Sequence, residues 1–105
     1  MDKNAVLDII KRFKNAIESK EIKINKLILY GSYAKGSPER HSDIDLVVIS
    51  EDFVGKSFWE RIDILTDAIY EVFEPIEAIA MTPEEWEQGD SMICEFAKNG
   101  EMIVE

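Results

Sequence analysis

The segment Asp43–Ser50 constrains the fold more than any other part of the chain, because two acidic residues there lead into an unbroken apolar run. Successive side chains of a strand point to opposite faces of its sheet. An apolar run without alternation therefore indicates a central strand that is covered on both faces. An α/β sandwich, with helices on each side of the sheet, meets this requirement.

Two long segments have the apolar spacing of amphipathic helices. Asn4–Lys20 places its apolar residues on one face, as a helix packed against a core requires. Ser57 can cap a second helix, whose apolar stripe begins at Phe58 and continues to Phe73. We expect this stripe to be buried, and we expect Trp59 beside it to lie in the core.

Shorter signals complete the order of elements. Thr82–Glu85 has the threonine cap, the proline and the acids that begin a helix, and Gly89 interrupts that helix before it resumes. Asn25–Tyr30 and Ile76–Met81 are typical of strands, and Met102–Val104 predicts a short last one. The order predicts an α/β fold in one domain over residues 1–105, with a small mixed sheet of about three to four strands flanked by helices.

The charge balance limits the kinds of partner. The chain has 12 basic and 22 acidic residues, which gives a net charge of −10. Surfaces that bind nucleic acids neutralise phosphates with lysine and arginine, so we expect no direct binding of nucleic acid. A basic protein partner fits this charge better, although an acidic surface that only keeps the chain soluble explains it equally well.

The expected location of the protein follows from what the sequence lacks. No apolar run approaches the ~18–20 residues needed to cross a bilayer, and Met1–Asn4 does not resemble the start of a signal peptide. Cys94 is the only cysteine, so an internal disulfide is excluded. We therefore expect a cytoplasmic protein without a membrane partner.

The acid pair that precedes the apolar run is the first candidate for chemistry. Asp43 and Asp45 are two positions apart on a strand, so their side chains project to the same side. Two carboxylates this close raise each other's pKa, and a divalent cation such as Mg²⁺ offsets their repulsion. The alternative is structural: Asp43 caps a turn and Asp45 is an acid at the edge of the fold.

A second candidate is the turn that follows the strand Asn25–Tyr30. Gly31 has no side chain, and Ser32 can begin a short helix whose free backbone amides suit terminal phosphates. A lone Gly-Ser pair is usually a simple turn. Here Ser32 precedes Asp43 by 11 positions, a separation that one short connection between two strands can span.

Glu77 is the third candidate. It lies near the start of the apolar strand Ile76–Met81, the same position that Asp45 has in its own strand. If the two strands are neighbours, three carboxylates can hold two metal ions ~4 Å apart, or Glu77 can accept the proton of an attacking hydroxyl. Glu77 as a solvated acid remains an alternative, and Glu74 is a weaker candidate for the same role.

The motifs together resemble the signature of the DNA polymerase β-like nucleotidyltransferase superfamily. The segments that carry the resemblance are Gly31–Gly36 and Ser42–Val48. Thr82–Glu85 follows the strand of the third acid, as it does in the minimal nucleotidyltransferases of that superfamily. The resemblance covers nearly the whole chain and implies a polymerase β-like fold.

Roles for individual residues follow from this resemblance. Gly31 and Ser32 would hold the triphosphate of ATP, while Asp43 and Asp45 would ligate two Mg²⁺ ions. Glu77 stands where the family usually has aspartate, so it would be the third ligand and a catalytic carboxylate. The longer arm of glutamate displaces its carboxylate, and ~1 Å matters for a reacting geometry.

Basic residues near the motif are candidates for phosphate contacts. Many members of the family have arginine where this chain has Tyr33 and Lys35; Lys35 keeps the charge but Tyr33 does not. Arg40 lies in the loop beside the acids and is our second candidate for binding the triphosphate. His41 is more readily explained as a residue of the same loop that has no role in the site.

The resemblance also implies a partner. Minimal nucleotidyltransferases are often the antitoxins of toxin–antitoxin pairs and act on HEPN-domain toxins by transferring AMP from ATP to a tyrosine. The net charge of −10 agrees with a basic, RNA-cleaving partner. A non-catalytic module that neutralises its partner by occlusion is the main alternative. Transfer to a small molecule or an RNA end is less favoured by the size and charge of the chain.

Overall fold

A computed structural model describes residues 2–35 and 43–104 of the chain. The described helices are α1 (Lys3–Glu18), α2 (Ser32–Lys35), α3 (Phe58–Val72), α4 (Pro83–Gln88) and α5 (Met92–Ala97), with a 3₁₀ turn at Glu51–Phe53. The described strands are β1 (Lys26–Tyr30), β2 (Ile44–Ile49), β3 (Ile76–Met81) and β4 (Glu101–Val104).

The described strands form one mixed sheet of four in the order β3-β2-β1-β4. Strand β2 is antiparallel to β1 and parallel to β3, while β4 pairs with the other side of β1. Leu46, Val47 and Val48 of β2 are all completely buried, although they point to alternate faces. The predicted central strand and the predicted α/β class are confirmed.

Two layers of helices cover the sheet. On one face, which we call the α1–α3 face, residues of α1 and α3 pack against alternate residues of the strands, Leu27, Leu29 and Leu46 among them. On the opposite, α4–α5 face, Val47 and Ile49 lie in a second cluster with residues of α4 and α5. The two clusters account for the apolar character of both sides of β2.

Helix α3 differs in its orientation from the prediction. Ser57 caps it as predicted, and Glu60 completes a reciprocal capping box. The buried residues, however, are Leu65, Ala68 and Val72, whereas Phe58 is 66% exposed. The expectation that the stripe starting at Phe58 is buried is therefore wrong there.

Aromatic residues near both ends of α3, one on the helix and one directly after it, are also exposed. Trp59 and Phe73 are 71% and 84% exposed, so the expected core position of Trp59 is wrong as well. The helix packs against β3, the outer strand of the described sheet, and at an outer strand only part of a helix surface has the sheet beneath it. Apolar residues that extend past that edge stay exposed.

The end of the chain follows its sequence signals closely. Thr82 and Glu85 form a capping box at the start of α4, and Gly89 ends that helix in a left-handed conformation with φ of 65°. Ser91 then caps α5, so the predicted interruption near Gly89 is confirmed. Among the described helices, none is long and apolar enough to cross a bilayer.

We expect Phe13→Ala to lower the free energy of unfolding by about 3–5 kcal/mol, because Phe13 is completely buried between α1 and the sheet and its removal leaves a cavity. Urea unfolding followed by circular dichroism measures the change. Lys11→Ala, at an exposed position of the same helix, is the control and should stay within about 0.5 kcal/mol of wild type. Equal effects of the two substitutions would contradict the packing of α1 described above.

Candidate active site

Pairing of the strands brings Tyr30, Asp45 and Glu77 into one row across the sheet. Tyr30 lies opposite Asp45 in the antiparallel pair β1–β2, and Asp45 lies opposite Glu77 in the parallel pair β2–β3. Residues directly opposite one another point to the same face of a sheet. Asp45 alternates with Val47 and Ile49, so the row belongs to the α4–α5 face. It lies where β2 and β3 begin and β1 ends.

The two acids of this row oppose each other electrostatically. Burial of Asp45, its hydrogen-bonding contact with Glu77 and the negative charges of Glu77 and Asp43 raise the pKa of Asp45 to about 6. Two carboxyl groups within hydrogen-bonding reach need a shared proton or a cation between them. The geometry therefore creates a place where positive charge is favoured.

Tyr30 is the member of the row that the sequence does not single out. Burial raises the pKa of its hydroxyl, and the neighbouring charges of Asp45 and Glu77 raise it further. Its only sequence signal is its place directly before Gly31. That position gains meaning once β1 and β2 are known to pair, because the register then puts Tyr30 beside an acid 15 positions away.

Gly31 brings the backbone of the turn against the same acid. Its φ is +75°, a left-handed conformation that favours glycine. A Cβ atom built at this position would overlap Oδ2 of Asp45 and lie 3.2 Å from its Cγ. The absence of a side chain is thus what allows the turn after β1 and the carboxylate on β2 to touch.

The remaining candidates on the turn have different environments. Ser32 is the first residue of α2, a single helical turn, and is half-buried. Tyr33 is buried in the core of the α1–α3 face, so it is directed away from the acids. Lys35 ends α2, and its side chain lies outside the described part of the chain. Arg40 and His41 lie outside the described residues.

The acids offer the kind of oxygen ligands that a hard divalent cation takes. Asp43 is exposed directly before β2, and Glu77 is exposed at the start of β3, so both are open to solvent. Among residues 2–35 and 43–104, no group of three metal-ligating side chains converges on one point. Asp45 and Glu77 form a pair instead, and one or two carboxylates completed by water and phosphate oxygens suit Mg²⁺. The residues present fit such an ion.

Comparisons with known proteins find relatives of this chain. Two proteins of Methanocaldococcus jannaschii, both provisionally named protein adenylyltransferases, are similar in sequence. The first is 37% identical over 71% of this chain and 72% of its own length. The second is 35% identical over 45% of this chain and 48% of its own length.

Solved structures show the same fold. A crystal structure from Sulfolobus solfataricus, provisionally named a nucleotidyltransferase, superposes with a TM-score of 0.70 at 16% identity, over 93% of this chain and 78% of that one. Another provisionally named nucleotidyltransferase gives a TM-score of 0.61 at 21% identity, over 90% of this chain and 96% of that one.

The sequence profile of the nucleotidyltransferase domain matches residues 10–100. This range includes the turn at Gly31, the acids on β2 and β3 and most of the remaining elements. The predicted resemblance to nucleotidyltransferases is thereby confirmed. The chain belongs to the nucleotidyltransferase domain family, whose members are transferases that use a nucleoside triphosphate.

Proposed function

We propose that this chain transfers AMP from ATP to a tyrosine hydroxyl of a partner protein, in a reaction that depends on Mg²⁺. The observation that supports the proposal most is the contact of the Gly31 turn with Asp45, beside Glu77. A phosphate-binding turn and paired carboxylates at one point of a sheet are the parts that nucleotidyl transfer needs. The relatives named protein adenylyltransferases support a protein as the acceptor.

The acids would hold the metal. Asp43, Asp45 and Glu77 supply carboxylate oxygens, and the exposed sides of Asp43 and Glu77 leave room for water and for phosphate oxygens of the substrate. A divalent cation bound there would neutralise charge on the triphosphate and activate its α-phosphate toward attack.

The chain's own groups then have separate tasks. The backbone at Gly31 and the hydroxyl of Ser32 bind the triphosphate, together with Lys35 and Arg40. Glu77, with its carboxylate open to solvent, accepts the proton of the tyrosine hydroxyl. The phenolic oxygen forms a bond with the α-phosphorus, the bond to the β-phosphate breaks, and pyrophosphate leaves.

The biological partner in this proposal is a HEPN-domain toxin, and the chain is its antitoxin. Two features support it: the likeness of the Gly31–Gly36 and Ser42–Val48 motifs to minimal nucleotidyltransferases, and the net charge of −10, which favours a basic partner. AMP on a tyrosine of the toxin would block its ribonuclease site. No nucleic acid is needed as a direct ligand.

A second candidate function is neutralisation by occlusion, without transfer. It is favoured by the pairing of Asp45 with Glu77, since the described residues lack a converging set of three ligands. Glu77 in place of the usual aspartate also changes the reach of the third carboxylate. Such a protein would bind nucleotide and partner but leave the partner unmodified.

We expect the wild-type chain to transfer label from α-labelled ATP to the HEPN-domain product of its neighbouring gene, with Mg²⁺ present. Asp43→Asn should lower the rate about 100-fold or more, because it removes a carboxylate from the metal site. Gel electrophoresis followed by autoradiography and mass spectrometry measures the label and locates the tyrosine. Asp8→Asn, the same chemical change at an exposed position of α1, is the control and should leave the rate unchanged.

The same experiment separates the two candidate functions. If the double variant Asp43→Asn, Asp45→Asn still neutralises the toxin, and the wild type transfers no label, the chain acts by occlusion and the transferase proposal is wrong. If neutralisation is lost together with label transfer, chemistry is the mechanism.

We expect Gly31→Ala to lower transfer by about 100-fold, because the new methyl group overlaps Asp45 and shifts a carboxylate by ~1 Å. Gly55→Ala is a matched control: Gly55 also has a left-handed φ, of +83°, but apart from its chain neighbours no residue has an atom within 4 Å of the added Cβ. The backbone strain itself should cost each variant about 1–2 kcal/mol of stability. Comparable loss of transfer in both would show that strain, and not the contact with Asp45, is responsible.

We expect Asp45→Asn to raise the Tm of the metal-free protein by about 1–3 °C near pH 8, a small value because the carboxylate is partly exposed. The folded-state pKa of Asp45 is raised to about 6, so the fold disfavours its charged form. The contribution of Asp45 to the stability of the folded chain is therefore highest below the ordinary pKa near 4, and it falls as the pH rises to about 6. Near pH 4, Asp45→Asn should have no higher Tm than the wild type.

Mg²⁺ provides the complementary measurement. Millimolar Mg²⁺ should raise the Tm of wild type near pH 8 and leave Asp45→Asn almost unchanged, because binding to the folded state alone stabilises it. If Asp45→Asn and the wild type were equally stable at every pH, the electrostatic conflict described for this site would be refuted.

A further inference from the structure

Helix α3 carries two exposed aromatic rings on the side that faces away from the sheet. Trp59 is 71% exposed and Tyr70 is 74% exposed. They are 11 positions apart, which is about three turns at 3.6 residues per turn, so both lie on one line along the helix, opposite its buried residues. The exposed residues along this line, which we call the outer face of α3, are Trp59, Asp63, Thr66, Asp67 and Tyr70.

Each of the two rings has an acid about one helical turn away. Asp63 follows Trp59 by four positions, and Asp67 precedes Tyr70 by three. Side chains at these spacings are neighbours on the surface of a helix. Within residues 2–35 and 43–104, neither acid has an ion-pair partner. The outer face therefore has two similar sites, each with an aromatic ring beside a carboxylate that is open to solvent.

The charge on this side of the helix is negative. Helix α3 has four acidic residues and one basic residue, Arg61. The side chain of Arg61 is only 17% exposed and donates a hydrogen bond to Glu85 of α4 at 2.7 Å, so it lies away from the outer face. Lys20, which follows α1, lies 3.8 Å from Glu71 at the flank of the helix and is engaged there. No basic residue of α3 belongs to the outer face.

An aromatic ring beside a carboxylate is an environment that suits an arginine side chain. The guanidinium group is planar, so it can stack on the ring while its N–H groups pair with the carboxylate. The ammonium group of lysine is attracted by the same charge but cannot stack. A second copy of this chain, with its net charge of −10, would be repelled, and so would a nucleic acid. Charge and shape together favour a protein segment that carries arginine.

The separation of the two sites sets the spacing of the arginines. The midpoints of the pairs Trp59–Asp63 and Asp67–Tyr70 are seven to eight positions apart, which is about 11 Å at a rise of 1.5 Å per residue. Two turns of a second helix, or seven positions, cover nearly the same distance. Two arginines at this spacing lie on one side of that helix and can reach both sites.

From these observations we infer that the outer face of α3 binds a basic helix of another protein. Two arginines of that helix, seven positions apart, each stack on one ring and pair with the acid beside it. The identity of that protein as the acceptor rests on the proposed function. The docking itself does not, because transfer and occlusion both need a bound partner.

An alanine-rich helical peptide of about 18 residues, with two arginines seven positions apart, is a direct probe of the full chain. One counterpart has lysine at both positions, and another has its two arginines five positions apart, where they point to different sides of the helix. Fluorescence anisotropy without nucleotide should show that the first peptide binds about fivefold more tightly than either counterpart.

Trp59→Ala should weaken binding of the arginine peptide about fivefold or more, because it removes one of the two rings. Phe96→Ala is the matched control: Phe96 is 62% exposed, nearly as much as Trp59, but it belongs to α5 on the opposite face of the sheet. We expect it to change the affinity less than about twofold. Circular dichroism checks that both variants are folded.

The acids have a matched pair of their own. Asp63→Asn should weaken binding about threefold or more and reduce its dependence on salt, because one carboxylate is lost from the site. Asp90→Asn makes the same chemical change at an exposed position that follows α4, and it should leave the affinity within about twofold of wild type.

Several results would overturn the proposal. These are no binding of the arginine peptide at millimolar concentration, equal affinity for the three peptides, and equal effects of Trp59→Ala and Phe96→Ala. Sedimentation that shows a wild-type dimer, dissociated by Trp59→Ala, would also overturn it, because a second copy would then occupy the outer face.

The label-transfer experiment separates this proposal from the proposed function. Peptide binding that depends on Trp59, without any transfer of label from ATP to the partner, would overturn the function and leave the outer face of α3 as a docking site. Transfer to the partner protein that Trp59→Ala leaves unaffected would overturn the docking site and leave the function.

Discussion

Burial of β2 on both faces is the constraint on which the rest of the structure depends. Residues such as Leu46, Val47 and Val48 require helices on each side and a neighbouring strand at each edge. Asp45 belongs to the same strand, so its carboxylate is held at the start of β2, between the end of β1 and the start of β3. The hydrophobic effect thereby positions an acid beside Gly31 and Glu77.

The electrostatic conflict at this point connects the fold to the chemistry. Burial and the neighbouring acids raise the pKa of Asp45 to about 6, so the folded chain favours either a proton or a cation there. A metal-bound triphosphate brings cation and anion together, and the turn at Gly31 approaches closely because glycine leaves no side chain between backbone and carboxylate.

The asymmetry of the sheet has a consequence of its own. Strand β4 covers the outer side of β1, while β3 remains the outer strand on the opposite side of the described sheet. Helix α3 packs there on Leu65, Ala68 and Val72 and leaves Phe58 exposed beside the unpaired backbone. A surface of this kind favours association with another chain. Glu77 of the candidate site belongs to the same strand.

The sequence by itself determined the elements and their class, because capping residues such as Ser57 and the double-sided apolar run after Asp45 are local signals. It also determined which acids are candidates. Only the tertiary structure decided that Tyr30 lies beside Asp45 and that Phe58 is exposed. Strand register and the rotation of α3 depend on contacts between residues far apart in the chain, and hydrophobic spacing alone does not distinguish a face that meets the sheet from one that passes its edge.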